Sequence, residues 1–263
     1  MLMFKALWAY RGFILGSVKR EFQSRYQNSL LGAAWTVLNP LAMIVVYTVI
    51  FSQVMKARLP GVETTFAYSI YLCAGLLTWS LFAEITSRAQ GVFLENANLL
   101  KKLNFPRMSL PVTVVTNALL NFAIVFSLFT VFLLATGNFP GWAFLGLVPV
   151  LALLVLFAIG LGVTLGILNV FFRDVGQFFT IFLQFWFWLT PIVYPASILP
   201  ERVQGWLGYN PMARVIGACQ EILVHGRWPD GWRLLPVLVL GLLLCAFALR
   251  LFRRHSGELV DEL

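Results

Sequence analysis

One stretch of the sequence constrains the fold more than any other: the 65 residues 108–172 contain no Asp, Glu, Lys or Arg. Further uncharged stretches lie at 26–55, 64–83, 175–200 and 234–249. About a quarter of the residues in a soluble domain are charged, whereas this chain has 11% charged and 60% hydrophobic residues. The sequence therefore excludes a soluble enzyme, a disordered chain and a disulfide scaffold, and it predicts a helical protein with several membrane spans.

The uncharged stretches have the lengths of membrane-spanning helices. A bilayer core of about 30 Å needs roughly 20 helical residues at about 1.5 Å each. The longest stretch therefore holds two spans, divided at the turn-forming residues 136–142. We predict an all-α membrane protein that forms a single transmembrane domain over residues 1–263. Its six transmembrane helices are expected near 33–55, 67–88, 109–135, 143–169, 175–195 and 233–252.

The distribution of Lys and Arg predicts the orientation of these spans. With six spans both termini lie on one side, and that side collects 13 of the 19 basic residues. Basic residues accumulate in cytoplasmic loops, so we expect a multi-pass protein of the cytoplasmic membrane with both termini in the cytosol. The net charge of +8 is then an orientation signal. It predicts no nucleic-acid partner, because the basic residues are scattered among the loops.

The first 28 residues contain apolar side chains at helical spacing with basic residues among them. This pattern predicts an amphipathic helix in the plane of the inner leaflet, with its apolar face in lipid. The alternative is a frayed basic terminus.

The connection between the second and third spans, residues 92–104, predicts a short cytosolic amphipathic helix that Pro106 stops. Its apolar stripe includes Phe93, Leu99 and Leu100. Such a stripe lies on the membrane or docks into a partner protein, and the residues alone leave both options open.

Two charged pairs at the cytosolic ends of spans have structural interpretations. Glu84 and Arg88 are four residues apart, which favours an interfacial ion pair. Arg173 and Asp174 lie in the turn between the fourth and fifth spans. We interpret the pair as charges that anchor this turn on the inner side of the membrane, next to a helix N-cap.

The outside segment 196–231 predicts a re-entrant helix pair. Residues 200–207 form one short helix, and the second begins at Asn210-Pro211 and ends at His225-Gly226. The second helix is about 21 Å long, too short to cross a bilayer. Half-length helices tolerate their backbone breaks only beside protein or a water-filled path, which favours a conduit over a passive anchor.

The fifth span and its exit are rich in aromatic residues. These rings fit lipid-facing bulk, an interfacial belt, or the wall of a path on which sugar faces stack. The candidates for such a wall are Tyr47 and Phe51 in the first span, together with Phe182, Phe185, Trp186, Trp188 and Tyr194. In the fourth span Gly162 and Gly166 form one GxxxG motif, which indicates close helix packing.

Several chemical motifs are missing from the sequence. It contains no GxxxxGK[ST] phosphate loop, no HExxH and no GxSxG. The three cysteines lie in apolar segments without a CxxC, so they predict core packing rather than a metal or disulfide. Acidic residues are nearly absent from the spans, which argues against a proton relay. Uphill transport would therefore need energy from another chain.

Four sequence blocks carry a family resemblance. They are R-Y-x-x-S-x-L-G-x-x-W-x-x-L-x-P at 25–40, N-L-L-x-K-x-x-F-P at 98–106 with Leu110-Pro111, N-V-x-x-R-D-V at 169–175, and P-I-x-Y at 191–194 with Asn210-Pro211. In this order and over nearly the whole chain, the blocks resemble the permease subunits of type-2 ATP-binding-cassette exporters for polysaccharides such as O-antigen, capsule and teichoic acid.

The resemblance implies a transmembrane subunit that exports a lipid-linked polysaccharide from the cytosol across the inner membrane of a bacterium. It implies a homodimer with two copies of a separate nucleotide-binding ATPase subunit, which binds the ATP and Mg²⁺. The chain itself would then hold no cofactor and would not be an enzyme. The alternative with the same six-span plan is an exporter of a small amphiphile such as a drug or haem.

The resemblance also implies roles for particular residues. Segment 92–104 looks like a coupling helix seated in the ATPase, and the turn 169–175 looks like a second contact. The ATPase-coupling candidates are Phe93, Leu99, Leu100, Lys102, Phe105, Arg173 and Asp174. The candidates at the substrate entrance are Arg25, Tyr26, Ser29, Gly32 and Trp35. The candidates for an outside gate are Pro200, Trp206, Asn210 and Pro211.

Overall fold

The fold is given by a computed structural model, which describes residues 10–26, 34–50, 59, 66–102, 106–255, 257–258 and 262. Every regular element among these residues is a helix, as the composition predicts. The α-helices are α1 (Arg11–Tyr26), α2 (Trp35–Thr48), α3 (Ala67–Glu95), α4 (Ala97–Lys102), α5 (Ser109–Ala135), α6 (Leu147–Phe171), α7 (Asp174–Trp188), α8 (Glu201–Leu207), α9 (Pro211–His225) and α10 (Gly231–His255).

Four helices are long and apolar enough to cross a membrane: Ala67–Glu95, Ser109–Ala135, Gly141–Phe171 and Gly231–His255. They correspond to the predicted second, third, fourth and sixth spans. The third of these helices begins with a 3₁₀ turn, Gly141–Gly146, that runs directly into α6. These predictions are confirmed because uncharged length alone specifies where such helices lie.

The helices at the predicted first and fifth spans are shorter. Helix α2 has 14 residues and α7 has 15, or about 21 and 22 Å of axial length. The predicted span 175–195 is wrong at its end, because α7 stops at Trp188. Pro191 follows closely, and a proline disfavours helical backbone at the residue before it. Beyond α2, residues 51–58 lie outside the described part of the chain.

Helices α3 and α6 form the centre of the bundle. They approach closely at Ala89, where a methyl group added at Gly166 would lie 2.5 Å from the Ala89 carbonyl oxygen. A methyl group at Gly162 would lie 2.7 Å from the Ala89 Cβ. The close packing predicted from the GxxxG motif is therefore confirmed. Helices α5, α7 and α9 pack on α3, and α10 packs along α6.

Helix α1 packs along α5. Its residues Ile14 and Val18 are buried, whereas Leu15, Lys19 and Arg20 are exposed. The predicted lipid-facing stripe includes Leu15 and Val18; Leu15 is exposed, whereas Val18 is covered by protein because the helix lies against the bundle. Residues 1–9 and 27–28 of the predicted interfacial helix lie outside the described residues.

The outer connection contains the two short helices that the sequence predicts. Asn210 caps α9, and its side-chain oxygen accepts hydrogen bonds from the backbone N–H groups of Met212 (3.0 Å) and Ala213 (3.4 Å). Gly226 ends α9 with a φ of 62°, a left-handed conformation that suits glycine. Helix α9 buries its apolar face against α3, α6 and α10.

Candidate functional site

The C-terminal end of α3 forms an elbow with α4. The predicted single helix over 92–104 is divided, because α3 runs on to Glu95 and α4 begins only at Ala97. At the break, the Asn96 side-chain amide donates a 2.8 Å hydrogen bond to the Val92 carbonyl oxygen. That oxygen is the one to which the Asn96 backbone N–H would donate in a continuous helix, so the side chain competes with the helix.

The apolar stripe of the elbow faces the interior of this chain. Phe93 is 1% exposed and Leu100 is 7% exposed. Both lie in a buried cluster with Ile167 and Val170 of α6. The chain's own core therefore covers Phe93 and Leu100, and a contact of these two side chains with an ATPase subunit stays a prediction. Leu99 is half-buried at the edge of this cluster.

The exposed face of the elbow is polar. Glu95 at the end of α3 and Asn98 and Lys101 on α4 are exposed. Asn98 and Lys101 are three residues apart on one helix and share a face of α4. The remaining coupling candidates here, the Lys102 side chain and Phe105, lie outside the described residues. A partner at the elbow would meet charges and an amide rather than an apolar stripe.

The turn between α6 and α7 is fastened to α3 by Asn169. This residue is 5% exposed. Its Oδ1 accepts a 2.9 Å hydrogen bond from the Gly176 backbone N–H, and its Nδ2 donates to the Gln90 carbonyl oxygen at 3.3 Å. Arg173 and Asp174 are exposed at this turn, and Asp174 begins α7 as predicted. Asn169 therefore links the start of α7 to the α3 helix that leads into the elbow.

A charged network joins the three helices α1, α3 and α5. The predicted pair is confirmed, with Arg88 Nη1 3.5 Å from Glu84 Oε1. Arg88 also forms an ion pair with Glu21 of α1, which in turn accepts a hydrogen bond from Asn117 of α5. Asn121 donates a 2.7 Å hydrogen bond to Glu84. This network anchors α1 to α3 and α5.

The sequence reasoning missed Glu21, Asn117 and Asn121. A signal for the two asparagines exists, because they are polar residues four apart in an otherwise apolar span and therefore share one face. A cavity of about 440 Å³ borders this network and separates α1 from the elbow. Its wall includes Arg20 and Glu95.

Most of the candidate entrance residues cannot be placed. The side chains of Arg25 and Tyr26, and all of Ser29 and Gly32, lie outside the described residues. Trp35 begins α2 and is 42% exposed.

Helix α7 carries an exposed aromatic stripe. Phe182, Phe185 and Trp188, three of the predicted path-lining residues, are 42%, 66% and 64% exposed. They lie on one helical face with Phe178 and Ile181, which are also exposed. These rings are free of contacts that would bury them within this chain.

Trp186 has a different environment from the rest of the aromatic stripe. Its ring packs edge-on against Phe82 at a centroid distance of 5.2 Å and against Trp79 at 6.1 Å. Its indole Nε1–H donates a 2.9 Å hydrogen bond to Asn210 Oδ1. Trp186 is half-buried, and its ring packs against the edge of the core and fastens α9 to α7.

The other path candidates are spread over the molecule. Tyr47 is half-buried and borders an apolar cavity of about 290 Å³ between α2, α3 and α5. Tyr194 is half-buried, and its hydroxyl donates a 2.7 Å hydrogen bond to the Trp188 carbonyl oxygen. Phe51 lies outside the described residues.

Two tyrosines near the N-terminal end of α3 form hydrogen bonds to the turn that follows α7. The Tyr68 hydroxyl donates a 2.8 Å hydrogen bond to the Val193 carbonyl oxygen. The Tyr71 hydroxyl lies 3.1 Å from the Pro191 carbonyl oxygen and 3.0 Å from that of Tyr194. One continuous helix, Ala67–Glu95, therefore carries the elbow at its C-terminal end and these tyrosine contacts near its N-terminal end. We name these tyrosine contacts the outer latch.

The outside-gate candidates fall into two groups. Pro200 and Trp206 are exposed on and before α8, with Trp206 76% exposed. Asn210 and Pro211 are half-buried and begin α9. They have a clear structural role, because Asn210 joins the N-terminus of α9 to Trp186 and to the Thr190 hydroxyl, 3.0 Å away.

An all-helical bundle with four long apolar helices is an integral membrane protein, and its charged side chains lie in or near the connections. Comparison with known families specifies the type. The chain belongs to the ABC-2 type transporter family, whose profile matches residues 14–224.

Individual relatives cover nearly the whole chain. It is 31% identical over 262 residues to the O-antigen export system permease protein RfbA of Myxococcus xanthus, with 98% of each chain covered. It is 31% identical over 208 residues to the RfbA permease of Klebsiella pneumoniae, covering 79% of this chain and 78% of the relative. It is 24% identical over 247 residues to the polysialic acid transport protein KpsM of Escherichia coli, covering 92% and 93%.

Proposed function

We propose that this protein is the transmembrane subunit of an ATP-driven exporter that moves a polysaccharide across a bacterial inner membrane. The observation that carries this conclusion is the end-to-end similarity to an O-antigen export permease. A second relative is named for a different polymer, polysialic acid. The two names share transport of a polysaccharide, and the first specifies export.

The proposed topology has six spans, with α2 and α7 in the first and fifth and both termini in the cytosol. The Lys and Arg distribution supports this orientation. Helices α8 and α9 form the re-entrant outer pair, and the burial of α9 among α3, α6 and α10 supports it, because a broken helix at membrane depth needs protein around it.

Thiol labelling of intact cells tests this topology. A cysteine at Gln204, which is exposed on α8, should react with a membrane-impermeant maleimide from outside. A matched cysteine at Lys101, exposed on the elbow, should react only after the membrane is opened. Labelling in the reverse order would overturn the orientation.

In the proposed mechanism two copies of the chain assemble with two ATPase subunits, which bind ATP and Mg²⁺. The ATPase docks on the polar face formed by Glu95, Asn98 and Lys101, with Arg173 beside it. Helix α3 is about 43 Å long, and α6 braces it through close packing. We expect a displacement of the elbow to reach the outer latch and the re-entrant pair, since a packed helix moves as a rigid element.

The proposed cargo is a lipid-linked polysaccharide that enters near residues 25–35 and passes the exposed rings of Phe182, Phe185 and Trp188. Aromatic faces support this choice, because they offer contact area to sugars without fixed hydrogen bonds. A deletion strain should lose surface polymer and accumulate the lipid-linked precursor in the cytosol. A strain that keeps its polymer but becomes sensitive to a small amphiphile would refute the assignment.

Charge reversal tests the docking face. Lys101→Glu should reduce the polymer-dependent ATPase activity of the assembled exporter about tenfold, because a charge contact across a docked interface is replaced by repulsion. Arg254→Glu, an exposed substitution at the end of α10, is the matched control and should leave the activity unchanged. Equal activity of the two variants would place the ATPase contact elsewhere.

A further inference from the structure

A cavity of about 610 Å³ lies at the outer face, between the turn after α7, helix α9 and the beginning of α10. This outer cavity is separate from the charged network and from the elbow. Its volume lies within the range of small-molecule sites, about 300–1,000 Å³. Part of its wall is apolar and includes Leu207 and Leu234. The remainder carries charged side chains, which the proposed transport mechanism does not use.

Some of the charged side chains that line the outer cavity form an ion pair and others do not. Arg233 and Asp230 form an ion pair at 3.4 Å. In the part of the chain that the structure describes, Arg214, Arg227 and Glu221 also line the cavity but form no ion pair. The three arginines outnumber the two carboxylates, so the cavity has a positive balance with His225 neutral.

Arg214 is the best placed of these cations. It is half-buried, its Nε donates a 2.7 Å hydrogen bond to the Gly208 carbonyl oxygen, and its Nη1 donates a 2.8 Å hydrogen bond to the Arg233 carbonyl oxygen. These two bonds hold the guanidinium at the cavity wall and leave its charge without a counter-ion. A fixed guanidinium is well suited to a phosphate group, to which it can offer two parallel donors.

Exposed aromatic residues indicate the depth of this cavity. Trp206, Tyr209, Trp228 and Trp232 are 61–86% exposed, and each is next in the chain to a residue that lines the cavity. Trp and Tyr concentrate at the level of lipid headgroups. These rings therefore favour a depth for the cavity at which phospholipid phosphates are found.

We infer that the outer cavity binds the phosphate of a lipid headgroup, with Arg214 and Arg227 as its ligands and the apolar wall along the lipid stem. This inference rests on the membrane topology proposed above. Glu221 stands in the same cavity and suits the ammonium group of an ethanolamine headgroup. The site therefore accepts phosphatidylethanolamine as well as phosphatidylglycerol.

Native mass spectrometry of the full-length chain, purified in detergent, tests the site. Phosphatidylglycerol and phosphatidylethanolamine are added separately, and diacylglycerol serves as the lipid without phosphate. Arg227→Gln should weaken binding of both phospholipids about tenfold, the usual effect of losing one charge-assisted hydrogen bond. Arg202→Gln, an exposed change on α8 outside the cavity, should bind both phospholipids as the unchanged chain does.

Arg214 needs two variants, because its side chain also holds two backbone carbonyls. Arg214→Gln should lose phospholipid binding, whereas Arg214→Lys should keep most of it if the charge is what matters. Thermal unfolding of each variant shows whether the fold is retained. Should Arg214→Gln not fold, Arg227→Gln alone decides the outcome.

Two further arms separate the possible sources of the phosphate. Inorganic phosphate in excess should not displace the phospholipid; full displacement would mean a free-anion site and would overturn the inference. If a polyprenyl phosphate displaces the phospholipid, the site also binds the phosphate of a lipid carrier, which supports recognition of a lipid-linked phosphate. Equal binding of diacylglycerol, or no effect of either arginine variant, would overturn the inference. This experiment measures lipid binding and not polymer export. Its outcome is therefore independent of the experiment that tests the proposed function.

Discussion

Replacing Arg88 should loosen helix α1 from the rest of the bundle. Arg88 forms ion pairs with Glu21 and Glu84, and the three side chains are only about one-third exposed, with relative exposures of 28%, 34% and 28%. Arg88→Gln leaves two neighbouring carboxylates without their cation. Breaking a buried pair costs about 3–5 kcal/mol and an exposed pair about 0–1 kcal/mol. At this intermediate exposure we expect about 2 kcal/mol.

The loss should be visible in thermal unfolding and in local exchange. A destabilisation of about 2 kcal/mol corresponds to a decrease in Tm of about 5 °C for a chain of this size. Amide hydrogen exchange should increase in Arg11–Tyr26 and stay unchanged in Leu147–Phe171, since the network contains no residue of α6. Arg253→Gln, an exposed change on α10, is the control and should stay within about 0.5 kcal/mol.

A double-mutant cycle assigns the effect to the ion pair. Glu21→Gln alone should destabilise the protein, and the double variant with Arg88→Gln should lose less than the two single changes added together. We expect a coupling energy of about 1–2 kcal/mol, typical of residues in one charged network. Additive single effects, or an Arg88→Gln protein as stable as the Arg253→Gln control, would refute the reasoning.

Three other substitutions test the packing around the site. Gly166→Ala should destabilise by about 1–3 kcal/mol, because the new methyl group meets a backbone oxygen at 2.5 Å; Gly217→Ala, with open space around it, should not destabilise in the same thermal assay. Trp186→Phe should lower the free energy of unfolding by about 1 kcal/mol, because the hydrogen bond to Asn210 is lost. In an Asn210→Ala background, which already lacks the acceptor, the same substitution should have little further effect on the free energy of unfolding. Asn169→Ala should cost about 1–3 kcal/mol and accelerate amide exchange at the start of α7, where a backbone donor loses its partner.

Local chemistry accounts for the elements that the sequence predicts well. The boundaries of α9 follow from Asn210 and Pro211 at its start and Gly226 at its end, and each of these residues acts within one helical turn. The four long apolar helices follow from uncharged length. The predicted end of the fifth span is too late, because Pro191 disfavours helical backbone at the residue before it and α7 ends at Trp188.

At the elbow, the periodicity of apolar residues predicts an apolar face but not the partner of that face. The spacing of Phe93 and Leu100 correctly indicates one apolar face. It does not specify what covers that face, because lipid, a partner protein and the chain's own core are equally apolar. In the structure, residues of α6 and α10 cover this apolar face. The exposed residues of the elbow are polar.

The amino-acid sequence by itself determined that the chain is a helical membrane protein, where its long helices lie, and which transporter family it resembles, because charge, length and short motifs are local properties. Only the tertiary structure decided that Glu21 is bound by a side chain 67 positions away, that Trp186 donates a hydrogen bond to Asn210, and that α3 carries the elbow at one end and the outer latch at the other. Those pairings depend on how helices pack in three dimensions, and no local pattern of residues encodes which of many possible partners is brought into contact.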